Sequence, residues 1–462
     1  MNLKHLFLLT LLLSVYQIAN SNIRDSVITI SSDSVIVNSI VFVGLKHTEE
    51  EVVRRELETK EGQKLDLEIL QEDVKKLYNL GLFNKVEVVP VPFDNNSFKL
   101  IFVFEETFYI LPLPIGGFEN GDFKKFWGGL NLTLRNFRGW NQTLNFSFAL
   151  GYQPFVGLSF FDPWIGRKSR FYAGVNIRYN KFVNRVTSTD TAKVFEINSL
   201  DDYHLHNFTT DLRIGKFLNK YLNLWVLMGI NLLQVSDYLP GRTVSPDGKD
   251  FYFLISSGVN YDSRDNIFFT LKGFYLDFSY TKYGLPSSLI NFHKTKLDVR
   301  GFIPIRLGNG YSVSIASRLL TNLSFGGGVP VYLNEVYGFG EMIRGWKYYV
   351  LTGENLFGSF TEIRIPLIQP FFINGKEHFI INRLPILKEF SYRYGLYLTT
   401  FFDIGTVWDK KETLTNAKFH NGFGLGLNFL LPFNIITRID YGMRINNSTL
   451  TKQFIIGLSS SF

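Results

Sequence analysis

Reactive side chains occur in this sequence, but nowhere at a spacing that performs bond chemistry. There is no cysteine, which removes thiolate nucleophiles, thiolate metal sites and disulfides together. The seven histidines form no H-x-x-x-H pair, and no G-x-S-x-G nucleophile turn is present. Gly424 and Gly426 stand two apart, which lines one face of a strand instead of forming a phosphate loop. The formal charge of +7 gathers into no Lys/Arg-rich block, which argues against nucleic acid as a partner. The sequence therefore predicts no catalytic set, no metal site and no cofactor, and any function must come from binding or mechanical work.

The composition points to where that work is done. Aromatic residues make up 16% of the chain, with 46 Phe and 23 Tyr, and hydrophobic residues 45%. Beyond the N-terminus the apolar residues never run on for the roughly 18 positions a spanning helix requires. They alternate instead, as in a lipid-embedded barrel with a polar interior. The N-terminus is different: Lys4 and His5 precede an apolar stretch from Leu6 to Tyr16, and Ala19 and Ser21 supply the small residues that a signal peptidase reads. Residues 1–21 are expected to be a signal peptide, cleaved after Ser21.

Residues 35–107 read as a small α/β module. Val35 to Gly44 alternates as a strand, and Thr48 with Glu51 forms a capping box for a helix running through Val53 and Leu57. Asp66 caps a second helix, with Leu67, Ile69, Leu70, Val74 and Leu77 on one face. Gly81 ends it, Leu82 and Phe83 plug the core, and the strands Lys85 to Val91 and Phe98 to Phe104 follow. In residues 108–462 the repeating unit is a strand of about 10 residues and a turn. Leu144, Phe146, Phe148 and Leu150 share one face of such a strand, as do Phe274, Leu276, Phe278 and Tyr280, and Phe423, Leu425, Leu427 and Phe429. A last strand carries Phe454, Ile456, Leu458 and Phe462 in one phase. The expected fold is mostly β: a transmembrane antiparallel barrel of about sixteen strands after one α/β module.

Several short stretches resemble the BamA/TamA superfamily. The order strand, helix, helix, strand, strand and the stretch Leu77 to Phe83 resemble a POTRA domain. Gly338 to Trp346, with Ile343, Arg344, Gly345 and Trp346 at its end, is similar to that family's lumen-loop motif, Trp346 replacing a more usual Phe or Tyr. Asp162, Pro163 and Trp164 resemble a strand-end motif of the family, Asp262, Arg264 and Asp265 a second one, and Phe401 to Trp408 a late-strand signature. The aromatic Phe462 resembles the targeting signal of outer-membrane barrels.

The resemblance implies that the loop folds back into the lumen and that Arg344 pairs with acids on the inner wall, Glu362 and Asp403. Alternation independently puts Asp403 in phase with Tyr397 and Thr399, opposite Leu398 and Phe402, and Glu362 opposite Ile363. It further implies an outer-membrane location with the module in the periplasm. The partners would be client outer-membrane or secreted polypeptides, outer-membrane lipids, and accessory periplasmic proteins or lipoproteins. The implied function is insertion or translocation of clients, by strand pairing at the module's edge and at a weak seam between the first and last barrel strands. The alternatives are a two-partner-secretion transporter, a passive porin, which would conduct steadily, and a barrel enzyme, which would need a nucleophile and base at the lipid rim.

Overall fold

The computed structural model describes residues 35–462 except 95, 119–122, 167–168, 185–193, 197–202, 287, 309–310, 339–340, 379–382, 384–390, 432–434, 447–448, 458–459 and 461. The expected signal peptide and Leu458 lie outside the described residues.

The N-terminal module is a three-stranded sheet with two helices. Strands β1 (Ile36–Val43), β2 (Phe83–Asp94) and β3 (Ser97–Glu106) lie in the order β1-β3-β2, with β1 parallel and β2 antiparallel to β3. Asp66 caps the helix Leu67–Asn79 by accepting from the N–H groups of Glu68 and Ile69. Gly81 follows in the left-handed region (φ 70°), and Leu82 and Phe83 enter the core with Val37, Ile40, Leu77, Leu100 and Phe102.

Two details differ from the sequence reading. The first helix is only Glu50–Arg54, and Thr48 does not cap it. The Thr48 hydroxyl accepts from Asn136 Nδ2 (2.8 Å) and its N–H goes to Glu106, because a neighbouring turn competes for the side chain. On the second helix Leu67 and Ile69 are exposed, while Leu70, Val74 and Leu77, a narrower stripe of the same helix, pack on the core.

Three residues after β3 the main sheet begins. Its strands are β4 (Ile110–Phe118), β5 (Phe126–Phe137), β6 (Gln142–Gly151), β7 (Phe155–Asp162) and β8 (Phe171–Asn184). A short β9 (Val194–Glu196) precedes β10 (Tyr203–Phe217), β11 (Leu222–Val235), β12 (Lys249–Asp262), β13 (Gly273–Tyr283), β14 (Phe292–Gly308) and β15 (Tyr311–Gly326). Two more short strands, β16 (Glu335–Tyr337) and β17 (Tyr349–Gly353), lead to β18 (Asn355–Asn374), β19 (Ser391–Trp408), β20 (His420–Leu431), β21 (Ile435–Asn446) and β22 (Thr449–Gly457). Apart from β9, β16 and β17, which form their own sheet, these strands make one 16-stranded antiparallel sheet from β4 to β22.

The two faces of the sheet differ as those of a membrane barrel do. Leu150, Met228, Ile255, Phe402, Leu425 and Ile456 point outward and are exposed, as a lipid-facing surface demands, while Thr399, Asp403, Thr406 and Asp440 point inward and are buried.

The module sits against the rim formed by the turn between β5 and β6. Glu49 N–H donates to Gly139 O (3.0 Å), His47 Nε2 lies 2.9 Å from Asn136 O, and Trp140 packs on the module's core. The Arg55 guanidinium lies 4.6 Å over the Trp164 ring, so the Asp162-Pro163-Trp164 stretch is part of this contact. The Asp162 carboxylate accepts from Gln142 Nε2 (2.5 Å) and from Trp164 N–H (2.9 Å), which fixes the turn that presents the indole.

Candidate functional site

The segment between β15 and β18, residues 327–354, turns back into the barrel and brings the Ile343-Arg344-Gly345-Trp346 stretch against the inner wall. Ile343 and Trp346 are buried in a cluster with Phe302, Leu320, Phe360 and Val407 from the wall. Trp346 Nε1 donates to Asn421 O (2.9 Å), and the ring is covered by Arg444 at 4.4 Å and edged by His420.

Arg344 is 2% exposed and fully engaged. Its Nε and Nη2 donate to the two oxygens of Asp403 (2.7 and 2.6 Å), Nη1 donates to Glu362 Oε1 (2.5 Å), and its own N–H reaches Asp403 Oδ2 (3.1 Å). The guanidinium stacks 3.7 Å from the Phe401 ring centre. A planar fork meeting one carboxylate with two parallel bonds supplies the charge-assisted pairing that makes burial of these ions tolerable. The two acids stand on adjacent strands one step apart, Glu362 opposite Phe401 and Asp403 opposite Phe360, which is why one side chain spans both.

Ionic anchors on β14 and β15 also hold the same loop, and the sequence reading missed them. Arg318 on β15 receives Glu341 on Nη1 and Nη2 (both 2.8 Å) and Asp298 on Nε and Nη2. Lys294 Nζ and Asn322 Nδ2 each donate to Glu335. Glu341 lies inside the loop motif, so its charge two residues before Ile343 was the available signal. The wall partners had none beyond inward phase.

Glycines make the close approach possible. A Cβ on Gly422 would fall 1.6 Å from Arg344 O, and one on Gly442 would fall 3.0 Å from Gly345 N. Gly422 on β20 and Gly442 on β21 thus form a trough for the loop backbone. Gly422→Ala is expected to push the loop off the wall at a cost of about 1 to 3 kcal/mol, as overpacking does. The check is protease cleavage within 327–354 of the folded protein, which should become faster in the variant and stay slow in the wild type.

A second inserted element enters from the rim near the module. Asp262 holds Arg264 through Nε (2.9 Å) and Nη2 (2.7 Å), and Asp265 Oδ1 accepts from the N–H groups of Asn266, Leu271 and Lys272. These bonds shape the turn 263–272 so that Phe269 lands on Tyr397, Leu430 and Ile436 across the lumen. Arg364, fully buried on β18, ties the inserted parts together. Its Nε donates to Glu362 Oε2 (3.1 Å), Nη1 to Thr270 O (2.5 Å) and Nη2 to Phe462 O (3.2 Å). Its guanidinium is flanked by the rings of Phe269, Phe302 and Phe462.

That placement corrects the reading of Phe462. Phe454 and Ile456 do project outward from β22, at 67% and 70% exposure. Phe462 does not continue their row: it is buried against Phe302 and Phe360 inside the barrel. The aromatic–guanidinium cage around Arg364 outcompetes the outward position.

Fold and site together define a class: a barrel with an α/β module on one rim, whose own loop is held on the inner wall by a buried arginine. Residues 136–462 match the Omp85 superfamily domain, and residues 35–107 match a POTRA domain described as surface antigen variable number repeat. The chain belongs to the Omp85 superfamily.

Similar solved structures include BamA from Haemophilus ducreyi lacking POTRA domains 1-3, at 18% identity and TM-score 0.57, covering 91% of this chain and 84% of that one. CdiB from Acinetobacter baumannii matches at 16% identity and TM-score 0.54, over 92% and 74% of the two chains. At these identities the likeness is one of fold. Outer envelope protein 80, chloroplastic, from Oryza sativa subsp. japonica is 29% identical over 130 residues, which is 26% of this chain and 19% of that protein. This chain therefore spans about a fifth of that relative's length.

Proposed function

We propose that this protein inserts or translocates client polypeptides at a bacterial outer membrane, with the POTRA-like module on the periplasmic side and lipids around the barrel. The observation that carries this reading is the anchored loop. A passive channel requires an open lumen, whereas here 327–354, the turn 263–272 and Phe462 are anchored inside the barrel and linked through Arg344, Glu362 and Arg364. A barrel with its own loop anchored inside works at its wall: client strands pair with backbone edges at the module and at the seam between the first and last strands, and bury their apolar faces directly in lipid. Accessory periplasmic proteins or lipoproteins would deliver the clients.

The reading is tested by depleting the protein and comparing the outer-membrane proteome. Loss of several unrelated barrel proteins is the expected result. Loss of one large secreted protein alone would assign the two-partner-secretion role instead. An unchanged proteome, with steady ionic current through the wild-type protein in planar bilayers, would overturn the reading in favour of a porin.

A further inference from the structure

The first barrel strand carries two prolines, Pro112 and Pro114, and the ladder shows which way their nitrogens face. β4 and β5 pair with Tyr109 standing opposite Arg135 by extension of the register, and Arg135 N–H donates to Tyr109 O at 2.7 Å. In an antiparallel ladder the directly bonded pairs recur every second residue. Positions 109, 111, 113, 115 and 117 therefore direct N–H and C=O toward β5. Ile110, Pro112, Pro114, Gly116 and Phe118 direct theirs to the other edge. The next pair of strands agrees: Tyr152 N–H donates to Phe126 O, so the even positions of β5 face β6 and its odd positions face β4.

The free edge of β4 thus offers carbonyl acceptors all along its length but no N–H at 112 or 114, two adjacent outward positions in its middle. The strand that meets this edge on closure is β22, because the sheet order begins at β4 and ends at β22. With sixteen strands all paired antiparallel, β4 and β22 also run antiparallel to each other. Two carbonyls of any partner strand opposite Pro112 and Pro114 find no donor there, and within hydrocarbon no water replaces it. Gly116 and Gly117 weaken the same strand further. Proline at a sheet edge is a common device against unwanted strand pairing.

We propose that Pro112 and Pro114 keep the seam between β4 and β22 from sealing, so that a client strand can displace β22 there. The second half of this statement rests on the function proposed above; the first half does not.

The experiment uses the full chain in lipid nanodiscs and compares wild type with P112A/P114A, which restores both donors. Hydrogen exchange across residues 108–118 should slow by roughly tenfold or more as the edge becomes paired, and insertion of a denatured barrel client into proteoliposomes should fall. Leu113→Ala is the control, since its N–H already faces β5; it should leave exchange unchanged. If the double variant does not fold, Pro114→Ala alone restores one donor and should give a smaller slowing. Unchanged exchange in every folded proline variant overturns the proposal, whatever happens to insertion. Slowed exchange with undiminished insertion supports the prolines as seam-weakening residues and refutes the seam as the clients' route.

Discussion

Arg344→Ala is expected to release the lumen loop while leaving the barrel inserted. The substitution removes the shared partner of Glu362 and Asp403, which are 2% and 0% exposed. Two buried carboxylates would then face each other without the guanidinium between them, and breaking such a pair costs about 3 to 5 kcal/mol. The loop bears most of that cost. The wall is held by its own ladder of backbone bonds, whereas the loop depends on its ionic anchors and the Ile343–Trp346 cluster. Planar-bilayer recordings should show larger and noisier conductance than wild type, at normal membrane levels of the protein, and client assembly should fall. Arg344→Lys keeps the charge but not the fork, so it should recover only part of the effect. Combining Arg344→Asp with Asp403→Arg should restore some of what either change loses. Wild-type conductance and activity in Arg344→Ala would show that the arginine has no mechanical role.

Arg364→Met is expected to be nearly as damaging, and to couple with the change at Arg344. Met fills much of the same cage among Phe269, Phe302 and Phe462 but leaves Thr270 O and Phe462 O without the donor they have now. Each buried group stripped of its partner costs about 1 to 3 kcal/mol. Hydrogen exchange should rise first in the turn 263–272. The two arginines share Glu362, one on each oxygen. A double-mutant cycle read by thermal unfolding should therefore depart from additivity by about 0.5 to 3 kcal/mol, as residues in one ionic network do. Strict additivity would mean that the loop and the turn are anchored independently and that no relay runs between them. Phe462→Ala should loosen the cage without touching the Arg344 pair, so its effect on exchange should stay near Arg364.

Much of this architecture was legible residue by residue. Period-two alternation separates lipid face from lumen face because successive side chains on a strand point to opposite sides. Phe402 outside and Asp403 inside, or Ile363 outside and Glu362 inside, thus followed from position alone. The cap at Asp66 and the break at Gly81 were equally local, since each is settled within one helical turn. The Arg344 partners came from a motif resemblance together with phase, because the three residues are too far apart in sequence for any periodicity to join them.

What lay beyond the sequence is whatever depends on segments meeting across the lumen. Thr48 has the spacing of a helix cap but is taken by Asn136, 88 positions away. Phe462 has the phase of an outward strand residue but is drawn inside by Arg364, 98 positions away. The Arg318–Glu341 pair and the glycine trough under Gly345 likewise exist only once the loop has been laid on the wall. Alternation and capping report the environment of one element, so the sequence by itself determined the strands, their faces and the family-like loop. The choice among partners for a buried charge or ring depends on distances between elements remote in the chain, and that choice belonged to the tertiary structure.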